Sequence, residues 1–595
     1  MEENMTGQPV SARRQLVFTA VITGTFLLAA GAVSVAEGPS KREKKIYAHH
    51  MGCYPAGAAA TAYHRSADAH KVRHDGTRQH DAYGDRWRNW PLVPDGTKLS
   101  LEESADLEIR RALRAGIDGF AIDAWAGRDD AKKVFSALIE VAEQKDYPFE
   151  VTICLDAGIQ SNLGLSDSIG WMLDNHGDSP KLARRDGKPL IFGYLSVFPG
   201  FRYGAQVLKE KEENRDKDTD LLFADPWLRT TPDGWALMAK AHEQMERESG
   251  QELYWHYGMG AFFHRVPNNL HDADKLAEAA GFMAERFDAV GEFLGGGEVH
   301  DRMAAAVRAK GAEWSQPLFF QYENIGWGGN RIGNGTDILR RCWSDARRNG
   351  STLIQFVTWN DYTENTCLAP AYETRYTIMD LNRHFIDWWK TGQPPTSDHD
   401  KIYLVYRKYP QGAKFYPFEA KREDAGGVIE VLTILPAPAK LRLVGRDAEW
   451  DAPAGMSYQQ FPLTPGPVVA ELLRDGQVLT RLESPEPITD RPFREQNGMT
   501  CFSTEFKRHW KADFGEQVPP LIRGEYADDD QDGLPNWYEM YWFGKFLDYS
   551  TATAADANAD PDGDGKTNIE EWRAQTDPTQ PPTERHGGST RQRSD

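Results

Sequence analysis

Asp361 and Glu364 stand three positions apart in FVTWNDYTEN (356–365), where an apolar run gives way to turn-forming residues. Two carboxyl groups this close can share the work of breaking a glycosidic bond: one, protonated, assists the leaving oxygen, and the other, ionised, activates water or attacks the anomeric carbon. In a continuing strand, positions three apart face opposite sides, so the pair converges only if the chain leaves the strand near Trp359. NDYTEN is rich in turn formers, which favours that exit. A separation of about 6.5–9.5 Å would imply inversion of configuration and about 5 Å retention. The competing use of the same residues is local, with Asn360 and Asp361 capping the next turn and Glu364 in solvent.

The elements that must position this pair read as alternating β and α segments. Short apolar runs predict strands at 44–51, 117–125, 149–158, 189–197, 220–226, 253–262, 317–325 and 351–359. Between them lie amphipathic stretches such as LEESADLEIRRALRAG and TDILRRCWSDARRNG, several ending at a glycine placed as a C-cap. The rhythm predicts an α/β fold, a (β/α)8 TIM barrel over residues 44–397, with a doubly wound sheet as the alternative. Reacting groups in such a barrel stand at the C-terminal strand ends. There the sequence places His49, Asp123, Asp156, Tyr322, Trp359 and Asn360, with Trp327 close by, as candidate substrate contacts. Carboxylates and aromatic rings are what a sugar cleft uses, the rings stacking on pyranose faces.

After the QPPTSDHD linker, residues 400–515 lose the helical period and show short alternating runs, the pattern of a β-sandwich. Residues 525–578 carry a different chemistry. Asp528, Asp530, Asp532, Gly533, Asn536 and Glu539 occupy loop positions one, three, five, six, nine and twelve, and Asp560, Asp562, Asp564, Gly565, Asn568 and Glu571 repeat that register. Alternating oxygen ligands, a glycine for the sharp turn and a terminal glutamate suit a hard cation, hence calcium. The stretch resembles thrombospondin type 3 or dockerin-like calcium repeats. That resemblance implies an extracellular or cell-surface setting, and a cohesin partner if the module is a dockerin, with attachment or spacing as its other uses. Calcium is expected to be structural, and no step of the chemistry above needs a metal. Residues 579–595 form a polar tail expected to be disordered.

Composition narrows the function classes. Asp and Glu outnumber Lys and Arg by 89 to 69, a net charge of −20 with no segregated basic patch, which disfavours nucleic acid as a partner. The 18 Trp residues suit an aromatic-lined cleft as well as a core. Five scattered Cys lack zinc spacing, and His64, His70, His74 and His80 are spaced too irregularly to favour a metal site. At the N-terminus, Arg13 and Arg14 precede an apolar run ending at Ser34 and Ala36, which reads as a signal peptide over 1–36. An uncleaved membrane anchor is the alternative, and either reading puts the rest of the chain in a secreted, periplasmic or cell-surface location.

VTWNDYTEN followed by Ala369 and Pro370, with IYAHHM, AGIDGFAIDAW and ICLDAG at the first three strands, resembles glycoside hydrolase family 71, the α-1,3-glucanases, and the neighbouring family 99. The likeness covers about residues 44–395. It implies a (β/α)8 barrel, an endo-acting hydrolase of an α-linked polysaccharide such as an α-1,3-glucan or α-mannan, and inversion. It also implies Asp361 as base and Glu364 as acid. Thr363 and Asn365 stand where the family usually has Gly and Ser, and residues 52–98 are an insertion after the first strand. Two other functions fit the sequence: a catalytically silent surface lectin or adhesin, and a barrel hydrolase that uses Asp123 and Asp156.

Overall fold

The structure, a computed structural model, describes residues 42–52, 89, 91–94, 99–124, 129–155, 165–194, 230–260, 272–324, 329–414, 427–492, 498–515, 526–544 and 549–581. Of the expected site residues, Asp156 and Trp327 lie outside these ranges, as do the predicted strand 220–226, the N-terminal segment 1–36 and most of the insertion. Among the described residues no helix is long and apolar enough to cross a membrane.

The first strands are β1 (Lys45–His50), β2 (Gly119–Ala124), β3 (Glu150–Leu155), β4 (Lys188–Gly193) and β5 (Tyr254–Gly258). They continue with β6 (Ala289–Gly291), β7 (Glu313–Ser315), a hairpin of β8 (Tyr322–Asn324) and β9 (Gly329–Arg331), and β10 (Leu353–Phe356). One parallel sheet runs in the order β10-β1-β2-β3-β4-β5-β6-β7. A parallel bridge between Leu318 and Phe356, with Val357 N–H on the Leu318 carbonyl at 2.8 Å, joins its two ends into a barrel. Two strands differ from the sequence reading. AVG at 289–291 and EWS at 313–315 are the seventh and eighth members, each three residues long. The expected strand at 317–325 instead supplies the closing bridge and one arm of the β8–β9 hairpin.

Alternation along each strand sorts its side chains into two apolar layers. Tyr47, Ala121, Cys154, Leu190, Phe192, Tyr254, Ala289 and Leu353 fill the barrel interior. Ile46, Phe120, Ile153, Ile191, Trp255, Val290 and Ile354 face the surrounding helices. The first of these, α1 (Leu101–Ala115), shows why the sequence was legible: Ser100 and Glu103 form a capping box at its start, and Gly116 takes φ +85° at its end.

At the N-terminal end of the barrel, Glu313 gathers a buried cluster. Its carboxylate accepts Nε and one terminal guanidinium nitrogen of Arg185 at 2.6 Å each, Arg42 at 2.9 Å, and the hydroxyls of Tyr254 and Thr352 at 2.5 Å. Burial opposes its ionisation, yet the hydrogen bonds and charge of Arg185 hold its carboxyl below the usual range. Removing one partner strands the other charges in a dry site. Glu313→Ala is therefore expected to destabilise the protein by about 3–5 kcal/mol, read as a lowered midpoint in urea unfolding.

Eight strands between residues 401 and 503 form two four-stranded antiparallel sheets, and a helix follows at Phe506–Phe514. One has the order β15-β12-β11-β18, from β11 (Lys401–Tyr406), β12 (Val428–Leu435), β15 (Gly455–Pro462) and β18 (Thr500–Ser503). The other is β14-β13-β16-β17, from β13 (Ala439–Leu443), β14 (Ala448–Ala452), β16 (Val469–Arg474) and β17 (Gln477–Glu483). Strand β11 is apolar on both sides. Ile402, Leu404 and Tyr406 enter the core between the two sheets, while Tyr403 and Val405 enter the same cluster as the barrel helices. A sheet covered on both faces explains the nearly continuous apolar run KIYLVY.

The C-terminal segment holds two short helices, α10 (Asn536–Trp542) and α11 (Asn568–Ala574), each preceded by an acidic loop. Trp537, Tyr538 and Leu534 form their own small core, with Trp572 packed against it. Met540 and Ala552 belong to the main apolar cluster, and Arg491 donates to the Arg573 carbonyl at 3.0 Å.

Candidate active site

Strand β10 ends at Phe356, the Val357–Thr358 peptide is cis, and the chain then reverses. Thr358 N–H donates to the Thr366 carbonyl at 3.1 Å, and Leu368 N–H returns to the Thr358 carbonyl at 2.9 Å. Within this loop Thr366 N–H reaches the Asp361 carbonyl at 3.2 Å, so Asp361 and Glu364 share one tight turn rather than opposite faces of a strand. The turn is anchored to β1 through Trp359 N–H and the His49 carbonyl.

Asp361 is 5% exposed. Its Oδ1 accepts three hydrogen bonds, from Thr363 N–H at 3.0 Å, the Thr363 hydroxyl at 2.6 Å and Glu364 N–H at 2.9 Å, while Oδ2 takes none of these. Asp361 thus does cap its turn, as the local reading of the sequence allowed, but with one oxygen. Burial raises its pKa, and the three donors partly offset that rise. Glu364 is half-buried, and its carbonyl accepts Glu323 N–H at 2.8 Å.

The other expected residues divide by the face on which they stand. His49 follows Tyr47 into the barrel interior, where Gln355 Nε2 lies 3.3 Å from its Nδ1 and Phe293 meets its ring edge-on at 5.1 Å. Burial, with His50 adding like charge, pushes its pKa down to about 3, so the ring is neutral. Asp123 follows Ala121 on the inward side of β2 and is buried. Tyr322 is half-buried on the β8–β9 hairpin. Trp359 does not suit the role of sugar contact: it is fully buried, and its ring packs 5.0 Å from Phe120 in the layer between barrel and helices. Asn360 is likewise buried. It holds the end of β1, accepting Met51 N–H at 2.7 Å and donating to the Met51 carbonyl at 3.3 Å.

Sequence reasoning gave no individual role to three further residues. Glu323, buried on β8, accepts Asn365 Nδ2 at 3.1 Å. Asn89, from the insertion, donates to Asn365 Oδ1 at 3.1 Å and accepts Glu373 N–H at 2.9 Å. Glu292 follows the unexpected strand β6, and burial pushes it up to about 7. Only a strand assignment at 289–291 would have revealed it as a strand-end carboxyl.

In the C-terminal loops, one oxygen from each of Asp528, Asp530 and Asp532 lies within 4.8 Å of the others, and the same holds for Asp560, Asp562 and Asp564. Gly533 and Gly565 take φ +100° and +91°, which only glycine adopts without strain. Glu539 and Glu571 are fully buried beside these clusters, and Oε2 of each has no hydrogen-bond partner. Burial and the nearby aspartates push Glu539 up to about 8 and Glu571 up to about 7. Asn536 Oδ1 accepts Asp529 N–H at 3.0 Å and Asn568 Nδ2 donates to the Asp556 carbonyl at 2.8 Å, so both side chains also brace their loops.

No curated protein matches this sequence. Among solved structures, similarity is found to a GH99 endo-α-mannosidase from Bacteroides thetaiotaomicron, at 14% identity over 58% of this chain and 97% of that one, with a TM-score of 0.39. A glycosyl hydrolase family 2 member from Bacteroides cellulosilyticus is similar at 11% identity over 64% of this chain and 43% of its own, with a TM-score of 0.34. Residues 315–509, which run from the end of β7 through the Asp361–Glu364 turn and both sheets, match the family model for Glycosyl hydrolase family 71, and on that match the chain is a glycosidase.

Proposed function

We propose that the protein is an exported, endo-acting hydrolase of an α-linked polysaccharide that uses Asp361 and Glu364 with inversion of configuration. The observation that carries this reading is the buried Asp361, presented with Glu364 by one turn after the last barrel strand, inside the segment that matches the glycosidase family. Glu364 donates its proton to the glycosidic oxygen as the C1–O bond breaks. Asp361 takes a proton from the water that attacks C1 from the opposite face, leaving a hemiacetal of inverted anomeric configuration. The raised pKa of Asp361 makes it a stronger base than a surface carboxylate. The likeness of WNDYTEN to the α-1,3-glucanases supports an α-linked substrate. A panel of α-glucans and α-mannans, with nuclear magnetic resonance of the first-formed anomer, tests the proposal. Absence of new reducing ends on every member, or a first product that keeps the substrate's anomeric configuration, would count against it.

The same proposal includes two structural calcium ions. Asp528, Asp530, Asp532 and Glu539 would hold one, and Asp560, Asp562, Asp564 and Glu571 the other. The residues fit: near each triad of oxygens stands a buried glutamate with one oxygen that has no hydrogen-bond partner. Bound calcium would neutralise the crowded carboxylates and hold the two loops in register. Chelation is expected to open residues 525–578 to protease while the barrel stays resistant, and unchanged cleavage kinetics after chelation would remove calcium from the proposal. The calcium repeats and the apolar N-terminal run support export, and a surface-attachment or cohesin-like partner for the C-terminal module belongs to the same reading.

A further inference from the structure

The turn that carries Asp361 and Glu364 ends in an unusual residue. Asn365 is fully buried and takes φ +54°, the left-handed region that few residues other than glycine occupy at low cost. Both ends of its side-chain amide are used. Nδ2 donates to Glu323 Oε2 at 3.1 Å, and Oδ1 accepts Asn89 Nδ2 at 3.1 Å. Glu323 grips the same turn a second time through its backbone, whose N–H donates to the Glu364 carbonyl at 2.8 Å. It therefore holds both Glu364, by main chain, and Asn365, by side chain.

The surroundings leave this arrangement little room to relax. Asn89 N–H donates to the Tyr362 carbonyl at 3.2 Å, so the far side of the amide is tied to another residue of the turn. Gly498, just before β18, presses on the contact: a Cβ there would lie 2.1 Å from Asn365 Nδ2 and 3.3 Å from Glu323 Oε2. Its neighbour Met499 donates N–H to Gln321 Oε1 at 2.8 Å, two residues from Glu323. The turn is thus clamped between the barrel hairpin, the insertion and the residues that lead into β18.

We propose that Glu323 is a positioning residue which, through Asn365 and the Glu364 carbonyl, fixes the turn that aims Asp361 and Glu364 at the substrate; this rests on those two residues being the catalytic pair. It is not assigned to the chemistry itself. Its effect is geometric: Asp361 Oδ1 is locked by the amides of residues 363 and 364, so a shift of the turn displaces both carboxyl groups together. A displacement of about 1 Å in a catalytic group costs about 10²-fold in rate.

The test compares Glu323→Ala, Glu323→Gln, Asn365→Ala and the double variant Glu323→Ala/Asn365→Ala in the full chain, each checked for folding by thermal unfolding. Glu323→Ala and Asn365→Ala are each expected to lower kcat about 10²-fold with KM nearly unchanged, the signature of a misplaced catalytic group. The double variant is expected to be no worse than either single one, because both remove the same link. Glu323→Gln keeps an acceptor for Asn365 Nδ2 and should recover most of the rate. Parent-like kcat in Asn365→Ala, a loss confined to KM, or equal losses in Glu323→Gln and Glu323→Ala would each overturn the proposal. Asp361→Asn run in parallel separates the two readings. If it is active, the catalytic pair is wrong; if it is dead while Asn365→Ala is not, only the positioning role fails.

Discussion

Asp361→Asn and Glu364→Gln are each expected to lower kcat by about 10²- to 10⁴-fold while leaving the fold intact, the range that positioned acids and bases contribute. The two variants should differ in what rescues them. On the proposed roles, Glu364→Gln lacks its acid and can no longer protonate a poor leaving group, so an α-glycoside with an activated aryl leaving group should recover much of the rate. Asp361→Asn lacks the group that takes the proton from water, and a better leaving group should help it far less. Comparing the two substrates on the two variants therefore tests the assignment of roles as well as the pair. A pH profile adds a third check. Burial raises the pKa of Asp361, and a base works only when ionised. The acid limb of kcat/KM should therefore fall at a pH above the ordinary carboxylate range of about 4, and be absent from the residual activity of Asp361→Asn.

A chain ending at residue 398, where the sequence suggests a domain boundary, is expected not to fold. The barrel shares buried charges with the sheet built from β15, β12, β11 and β18, with the loop residues Lys408 and Glu486, and with the helix at Phe506–Phe514. Arg375 pairs with Glu486 at 3.2 Å, and Lys408 bridges Glu373 and Glu486 at 2.7 Å each. Asp380 accepts His509 at 2.9 Å and Lys401 at 3.1 Å, with Tyr403 adding its hydroxyl. Arg111 meets Asp513, while Glu430 takes the Thr336 hydroxyl at 2.6 Å and Arg340 at 2.8 Å. Truncation would leave Arg111, Glu373, Arg375 and Asp380 on the barrel side with partners removed. Each such orphaned charge costs about 3–5 kcal/mol if it stays buried, and a whole domain has only about 5–15 kcal/mol to lose. The apolar surface that now receives Tyr403, Val405, Leu432 and Ile434 would be exposed as well. Near-ultraviolet circular dichroism and solubility of the truncated chain check this, and a soluble, native-like barrel would show that the sheets are dispensable.

Periodicity made most of the barrel legible. Strands β1 to β5 and β10 are apolar runs between amphipathic helices with clear caps, and the pattern survives without any tertiary information. Strands β6 and β7 were not legible because three residues carry too little alternation to stand out, and because Glu292 and Glu313 interrupt the apolar signal. The turn at Asp361 was legible from NDYTEN, since its residues make turns by local hydrogen bonds. Its supports were not. Asn89 lies 276 positions from Asn365, and Glu323 lies 42 away, so only the folded chain brings them to one amide. Trp359 misled for a related reason: one position in a strand-to-turn exit decides whether a ring faces the cleft or the helix layer, and spacing alone does not resolve it.

The cluster around Glu313 fastens the chain ahead of β1 and β4, the start of β5 and β7, and the residue before β10, all at the barrel end opposite the Asp361–Glu364 turn. For engineering, this separates two properties that are often entangled. Loops grafted at the C-terminal strand ends would leave that fastening untouched, so that side could be redesigned without loosening it, provided that residues 89, 323, 365 and 498 travel with the native turn.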